Sequence, residues 1–486
     1  MMNLLDPGRW AGNIHSGGWI PGAAGDQPAL EAANGAELGR IGVADADQVR
    51  AAATAAARAQ GAWAAAKPAD RAAVLRRAGD LFAEYAGEIE EWLVRESGGT
   101  RLKAGRELAA ARAECYEAAG LPTHPSGEML ATDSDRWSFS RRRPAGVVSV
   151  IAPFNFPLTL SIRSVAPALA LGNSVLLKPD PRTSVSGGVV LARIFEEAGL
   201  PEGVLHVLTG GADVGEAVVS APEVAVISFT GSTAAGRRVG EAASRLLKRA
   251  HLELGGNNAL IVLPGADLDR AASAGAFGSF LHQGQICMAT GRHIVHRDIY
   301  DEYVAKLAAK ADALRVGDPF TDDVDLGPII DERQLKSIDA IVRDAVDAGA
   351  RVCAGGTNDG QYYRPTVLAD LDLSMSAWTD EIFGPVAPVV PFDDLDEAVA
   401  LVNASEYGLS VGILGEVGLA MQLADRIDCG KLHINEQTVG DEAYAPMGGT
   451  GASGTGSRFG GPAANFEAFT ETQWVTVRSE IAPYPF

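Results

Sequence analysis

The stretch from Gly146 to Val262 constrains this chain most, because strand and helix signals alternate along it without a break. Residues 147–151 form a short β-branched run, 158–171 reads as helix, 174–178 as strand and 185–198 as helix. Further strands are predicted at 204–208 and 225–229, with a helix between them. Strands and helices in this succession build a parallel sheet covered on both faces. Ligands of such sheets bind at the carboxyl ends of the strands. Ile151, Ala152, Pro153, Phe154 and Asn155 stand at one such end, Lys178 and Pro179 at the next, and Phe229, Gly231 and Ser232 at another. Gly231 and Ser232 open a helix, where free N–H groups and the positive dipole end suit a phosphate. The pattern points to a dinucleotide.

Composition narrows the rest. At 486 residues the chain exceeds a single typical core, which predicts two or three domains. A hydrophobic share of 47% beside 21% charged residues is that of an ordinary globular protein, not a disordered one. With 62 acidic against 41 basic residues the net charge is −21, so no nucleic acid is expected as partner. The one basic run, Arg141-Arg142-Arg143, stands beside Pro144 and reads as a solvated strand end. Residues 1–20 lack the apolar core of a secretory signal, and no stretch offers about 18 uninterrupted apolar residues, so no membrane partner is expected. The cysteines at 115, 287, 353 and 429 make no CxxC or Cys/His spacing. No metal is expected from them, and reduced thiols in a cytoplasmic protein are the reading.

Residues 1–40 read as turns and short strands. From Asp45, Val49, Ala52, Ala53, Ala56 and Ala57 recur at helical spacing. A second helix is predicted over 68–96, with Pro68 at a favourable first position, and a third over 100–119. These read as scaffold. Residues 122–144 suggest a hairpin arm, and 469–477 a period-2 strand whose edge invites pairing with another subunit. The one literal GxGxxG, from Gly449 to Gly454, lies in a Gly/Ser-rich stretch without strand-turn-helix context. It reads as a flexible loop, not a nucleotide site.

Cys287 sits in the stretch His282-Gln283-Gly284-Gln285-Ile286-Cys287-Met288-Ala289-Thr290. A free cysteine is most often a small buried hydrophobe. A nucleophilic one needs a lowered pKa or a neighbouring base. The wider pattern decides between the two. Asn155 within Pro-Phe-Asn-Phe-Pro, Lys178-Pro179, Phe229-Thr230-Gly231-Ser232-Thr233, Glu253 within Glu-Leu-Gly-Gly, Cys287, and Glu381-Ile382-Phe383-Gly384-Pro385-Val386 resemble the aldehyde dehydrogenase superfamily in order and spacing, over nearly the whole chain. The run from Ile434 to Val439 and on through 452–460 resembles its aromatic-aldehyde branch, the benzaldehyde and vanillin dehydrogenases. The resemblance implies an α/β fold with a Rossmann-type cofactor domain, an α/β catalytic domain and a small β oligomerisation arm. The expected division is 1–121 with 146–254 for the cofactor, 255–445 for catalysis, and 122–145 with 446–486 for the arm and tail. A homodimer or homotetramer is implied.

Hydride can leave an aldehyde only from a tetrahedral carbon, which Cys287 supplies by attacking the carbonyl to give a thiohemiacetal. The Asn155 amide and the backbone N–H of Cys287 are expected to receive the oxyanion. The bland alternative for Asn155 is a turn former. Hydrolysis of the resulting thioester needs an activated water, and Glu253 is the candidate base, its pKa raised by Leu252, Leu254, Gly255 and Gly256. CoA-acylating relatives lack a glutamate at this position, so release of the free acid is expected. The resemblance further implies Lys178 and Glu381 on cofactor ribose hydroxyls and Phe383 beside the nicotinamide. It also implies Gly211, Gly215, Gly231 and Ser232 around the pyrophosphate, with Leu254 and Gly255 close by, and a proton-relay position at Glu471.

One departure matters. Three residues after Lys178, where NAD-preferring relatives often carry a carboxylate, stands Pro181, followed by Arg182, a residue able to pair with a 2′-phosphate. NAD is the favoured cofactor and NADP stays open. Leu160, Arg163, Ile286, Met288, Thr438 and Val439 are expected to border the aldehyde tunnel, whose Ile and Met walls suit a flat apolar ring. Each is equally an ordinary core residue. Arg163 can also hold a carboxylate, which keeps semialdehydes in view beside the alternative of an aliphatic aldehyde. A CoA-acylating enzyme and a silent binding protein on this fold are the other readings. The silent protein predicts a broken set at Cys287, Asn155 or Glu253, and all three are intact.

Overall fold

The computed structural model describes residues 3–486. Five parallel strands lie in the order 249–253, 224–230, 147–151, 174–178, 205–207, and two short antiparallel strands, 13–15 and 19–21, extend the sheet beyond 205–207. The parallel part of the sheet begins at 147–151, winds outward through 174–178 and 205–207, then returns to the opposite side of 147–151. Winding therefore reverses between 147–151 and 224–230, and such a switch point opens a crevice beyond the strand ends. Residues 152–155 and 231–232 leave the sheet at that point.

Alternation of side chains explains the two covered faces. Val148, Val150, Val175 and Leu177 meet Ile162, Val165 and Leu169 of the helix Pro157–Ala170 on one side. Val147, Leu176 and Ile227 meet Val49, Ala52 and Ala56 of the helix Ala46–Ala65 on the other. Two predicted helices differ in detail. The 68–96 helix is two, Pro68–Glu84 and Ala86–Ser97, because Tyr85 leaves helical geometry at ψ 21° and turns the second half so that Ile89 and Leu93 reach the same core as Leu75 and Phe82. The 185–198 helix begins with a π-helical turn over Val185–Val189, whose first N–H groups donate to the buried Glu96 carboxylate at 3.0 and 2.7 Å.

Residues 254–257 lead from the edge strand 249–253 directly into a second seven-stranded sheet, ordered 351–354, 366–369, 386–392, 290–296, 258–262, 410–414, 431–434. All its neighbours are parallel except the outermost 351–354. The arm is a third sheet. The C-terminal strand Thr470–Val477 pairs along its length with Trp137–Pro144, which also pairs with Gly127–Met129. One edge of 470–477 is thus satisfied within the chain and the other is open among the described residues. No helix among those residues is long and apolar enough to cross a membrane.

The glycine run at 449–454 is not the loose loop expected. Thr450 and Gly451 pair with Gly408 and Tyr407, Gly454 bridges to Glu253, and the Ser453 carbonyl accepts from Leu254 at 2.8 Å. Its glycines allow backbone to lie against backbone, and the run walls the end of the 249–253 strand.

Candidate active site

The thiol loop starts where the helix Leu268–Phe280 ends. His282 and Gln283 adopt left-handed φ values of 49° and 56°, and Gly284 follows at 66°. Non-glycine residues hold such angles only when their surroundings compel them. The compulsion here is visible. Gln283 donates to the carbonyls of Gly98 and Pro328 at 3.0 and 2.8 Å, and Gly284 packs against the Gly384 backbone with no room for a side chain. Beyond it the loop carbonyls are gripped one after another. Asn155 Nδ2 donates to Gln285 at 2.9 Å, Asn258 Nδ2 to Cys287 and Ala289 at 2.8 and 2.7 Å, and Thr438 Oγ1 to Met288 at 2.7 Å. Cys287 is thereby fixed, half-buried, among Phe156, Ile286, Met288, Leu409, Val439 and Met447. Burial, reinforced by the charges of Glu381 and Glu253, pushes its thiol up to about 12.

Glu253 ends the edge strand of the first sheet, buried against the glycine wall. Neither carboxylate oxygen has a well-directed hydrogen-bond partner. Burial pushes its pKa up to about 8, against the pull of Arg163, Arg458 and the Gly449 backbone. Glu381 has the same character: burial raises it to about 7 although it accepts from the Gly256 N–H at 2.9 Å. A Cβ at Gly255 would displace the Glu381 carboxylate, so glycine there leaves that carboxylate its place. Asn155 follows the central strand, 2% exposed, with its Oδ1 unpartnered. The helix behind it is capped by Glu107, which accepts from Leu158 and Thr159 at 2.9 and 3.2 Å and is ion-paired to buried Lys103 at 2.8 Å.

The expected cofactor residues form one row along the strand ends. Gly211 begins the helix Ala212–Ser220 after strand 205–207, and Gly215 sits in that helix with open space beside it. Lys178 ends its strand buried, and the loss of water lowers its pKa. Ile151, Ala152, Pro153 and Phe154 follow the central strand. Phe229 closes against Gly231, where a Cβ would meet its ring at 2.7 Å, and Ser232 caps the helix Thr233–Arg245. Leu254 packs against Gly236 of that helix. Phe383, at φ 53°, meets Phe154 edge to face with ring centroids 5.9 Å apart. Lys178-Pro179 lies alongside, since Pro179 packs on Gly188 of the π-helical turn.

Two of the residues expected to meet ligands are engaged within the chain. Arg182 is not free for a 2′-phosphate: it donates twice to Asp180 at 2.9 Å and once to Asp331 at 2.7 Å, and its plane lies 4.1 Å from the centre of the Phe154 ring. Arg163 is not free for a substrate carboxylate either. It is buried between Glu114, at 3.5 Å, and Asp441. Thr438, expected at the tunnel, is fully buried and faces the back of the thiol loop through Met288 and Thr290. Leu160 is half-buried on its helix, while Ile286, Met288 and Val439 touch the thiol cluster. Glu471 is exposed and ion-paired with Arg249. Sequence reasoning missed Asn258, Leu409, Asp441, Met447, Arg458 and Lys431. Each comes from a segment whose proximity to Cys287 only the fold creates.

The model of the Aldehyde dehydrogenase family matches residues 19–475. The chain belongs to that family. It is an NAD(P)-dependent aldehyde dehydrogenase. A vanillin dehydrogenase of an Amycolatopsis species is 62% identical over 100% of both chains. A benzaldehyde dehydrogenase [NAD(+)] of Pseudomonas putida is 49% identical over 98% of each. The crystal structure of a salicylaldehyde dehydrogenase from Pseudomonas putida, complexed with salicylaldehyde, superposes with a TM-score of 0.94 at 34% identity, covering 98% of this chain and 99% of that one.

Proposed function

We propose that this aldehyde dehydrogenase oxidises an aromatic aldehyde to the carboxylic acid with NAD. The observation that carries the chemistry is a rigidly held thiol, Cys287, that feels the charge of a buried carboxylate without a well-directed hydrogen-bond partner, Glu253, at the strand-end crevice. The aromatic substrate is supported by the apolar surroundings of the thiol and by the vanillin, benzaldehyde and salicylaldehyde dehydrogenases to which the chain is similar.

A thiol near 12 does not ionise by itself at neutral pH, so its proton passes to a base as the sulfur attacks the carbonyl carbon. Of its two amide hydrogens, Asn155 uses one on Gln285 and offers the other, beside the Cys287 backbone N–H, to the oxyanion. A bound nicotinamide would supply the acceptor for the hydride. The residues suit that group: Lys178 is a buried ammonium suited to ribose hydroxyls, Gly231 and Ser232 open a helix N-terminus, and one oxygen of Glu381 stays unpaired by the backbone. Glu253 then removes a proton from water as it attacks the thioester, and the acid departs, returning sulfur to the thiol.

NAD is favoured because Arg182 is neutralised by Asp180 and Asp331 and offers little to a 2′-phosphate. The division into 1–121 with 146–254, 255–445, and 122–145 with 446–486 is part of this reading, as is a cytoplasmic homo-oligomer. The test is nicotinamide reduction with benzaldehyde and NAD, without CoA, beside Cys287→Ala. Reduction that disappears in the variant is expected. Activity that survives it overturns the thiol mechanism, and turnover confined to aliphatic aldehydes overturns the aromatic substrate.

A further inference from the structure

Lys431 opens the outermost strand of the second sheet, Lys431–Ile434. Its Nζ lies 3.0 Å from Met288 Sδ and donates to the Gly440 carbonyl. Met288 follows Cys287 in sequence and belongs to the apolar cluster around the thiol. The ammonium is therefore half-buried beside the apolar cluster that holds the thiol.

Its electrostatic position is unusual among the buried cations nearby. Arg163 lies between Glu114 and Asp441, and Arg182 between Asp180 and Asp331. Asp441 directs its carboxylate at Arg163, and Lys431 has no carboxylate within ion-pair distance among the described residues. Asp441, Cys287 and Glu253 act on it only from farther away, and Arg163 opposes them. An ammonium carries three donors. A carbonyl takes one, and a thioether is a weak acceptor for a second. What remains is a positive charge with a spare N–H, half-buried beside the apolar cluster around a thiol. An oxygen carried by the ligand would satisfy it.

We propose that Lys431 determines specificity by binding the ring oxygen of a hydroxylated benzaldehyde whose formyl carbon lies at Cys287. This rests on the aromatic-aldehyde reading above and adds to it. The chemistry favours the arrangement. A phenolate conjugated with a formyl group pushes electron density into the carbonyl and makes it a poorer electrophile. Hydrogen bonding from the ammonium keeps that density on the ring oxygen, so the same contact aids binding and attack. No bond to Lys431 is made or broken, and the electrons of the oxidation still leave as hydride.

The test compares kcat and KM for benzaldehyde and for para- and meta-hydroxybenzaldehyde in the wild type, Lys431→Met and Lys431→Arg, with thermal unfolding as a check on folding. The ratio of kcat/KM for the preferred hydroxylated aldehyde over benzaldehyde is expected to fall roughly 10–100-fold in Lys431→Met, the usual worth of a charged hydrogen bond, and to recover in part in Lys431→Arg. An unchanged ratio, with both wild-type activities present, overturns this proposal alone. Equal losses on both substrates with slower alkylation of Cys287 also overturn it, because Lys431 would then serve the thiol and not the ring. A wild type that turns over neither aromatic aldehyde, yet oxidises aliphatic ones, fails at the earlier reading instead.

Discussion

At the scale of single residues, the raised pKa of Glu253 has two opposite effects. As a base it works only when ionised, so thioester hydrolysis should rise with pH and level off above about 8. Glu253→Gln should lower steady-state turnover by roughly 10²–10⁴ and leave a single burst of nicotinamide reduction, seen by stopped flow. For stability the sign reverses. The unfolded glutamate ionises near about 4.3 and the folded one near about 8, so between those values the folded chain holds a proton that the unfolded chain has lost. Stability therefore falls as pH rises through that window, and Glu381 and Glu114, both raised to about 7, act in the same direction. Glu253→Gln removes one share of this loss. It should unfold at higher temperature than the wild type above about pH 8, with the gap closing in acid. Higher stability at alkaline pH together with lost turnover would mark the carboxylate as a group kept for chemistry at the expense of the fold.

At the scale of elements, the helix Pro157–Ala170 shows how a remote pair holds the site. Glu107, on the helix Arg101–Gly120, caps it through Leu158 and Thr159 and neutralises Lys103, which in turn lies 4.8 Å from the centre of the Phe156 ring. Glu107→Ala leaves a buried ammonium without its partner and two helix N–H groups without acceptors. A loss of about 3–5 kcal/mol in denaturant unfolding is expected. Elements of this kind divide sharply by how they were legible. The strands 147–151 and 174–178 are written in short β-branched runs, and Asn155 and Lys178 follow because strand ends in such sheets are where ligands bind. The break at Tyr85 is not written, because the periodic apolar stripe continues across it while the backbone bends to keep both halves on one core. Nor is the saturation of Arg182: Asp180 is two residues away, but Asp331 comes from another sheet's loops, and their convergence depends on the packing of distant segments. Lys431 and Asp441 escaped notice for the same reason. The glycine run at 449–454 misled in a different way, since glycines that permit a loose loop also permit the tight backbone stacking found beside Glu253.

At the scale of the whole molecule, the arm leaves apolar surface uncovered. Trp137 and Trp474 stand on adjacent strands, and Leu247, at the end of the helix Thr233–Arg245, is 95% exposed. The open edge of 470–477 lies on the same sheet as the tryptophans. Exposed tryptophans next to unpaired strand hydrogen bonds are features of a surface that assembles. Trp474→Glu combined with Leu247→Glu should shift the molar mass measured by light scattering from an oligomer towards a single chain, while far-ultraviolet circular dichroism stays unchanged. An unaltered mass, or a wild type that already runs as a single chain, would overturn assembly through this surface.

The grip on the thiol loop has a consequence for how such a catalyst can diversify. Asn155, Asn258 and Thr438 hold the loop through main-chain oxygens, atoms that every amino acid supplies alike. The side chains at 286 and 288 take no part in that hold. Replacing them redraws the pocket while the sulfur keeps its place, so selectivity can drift across generations of descendants without each step having to rebuild the reaction.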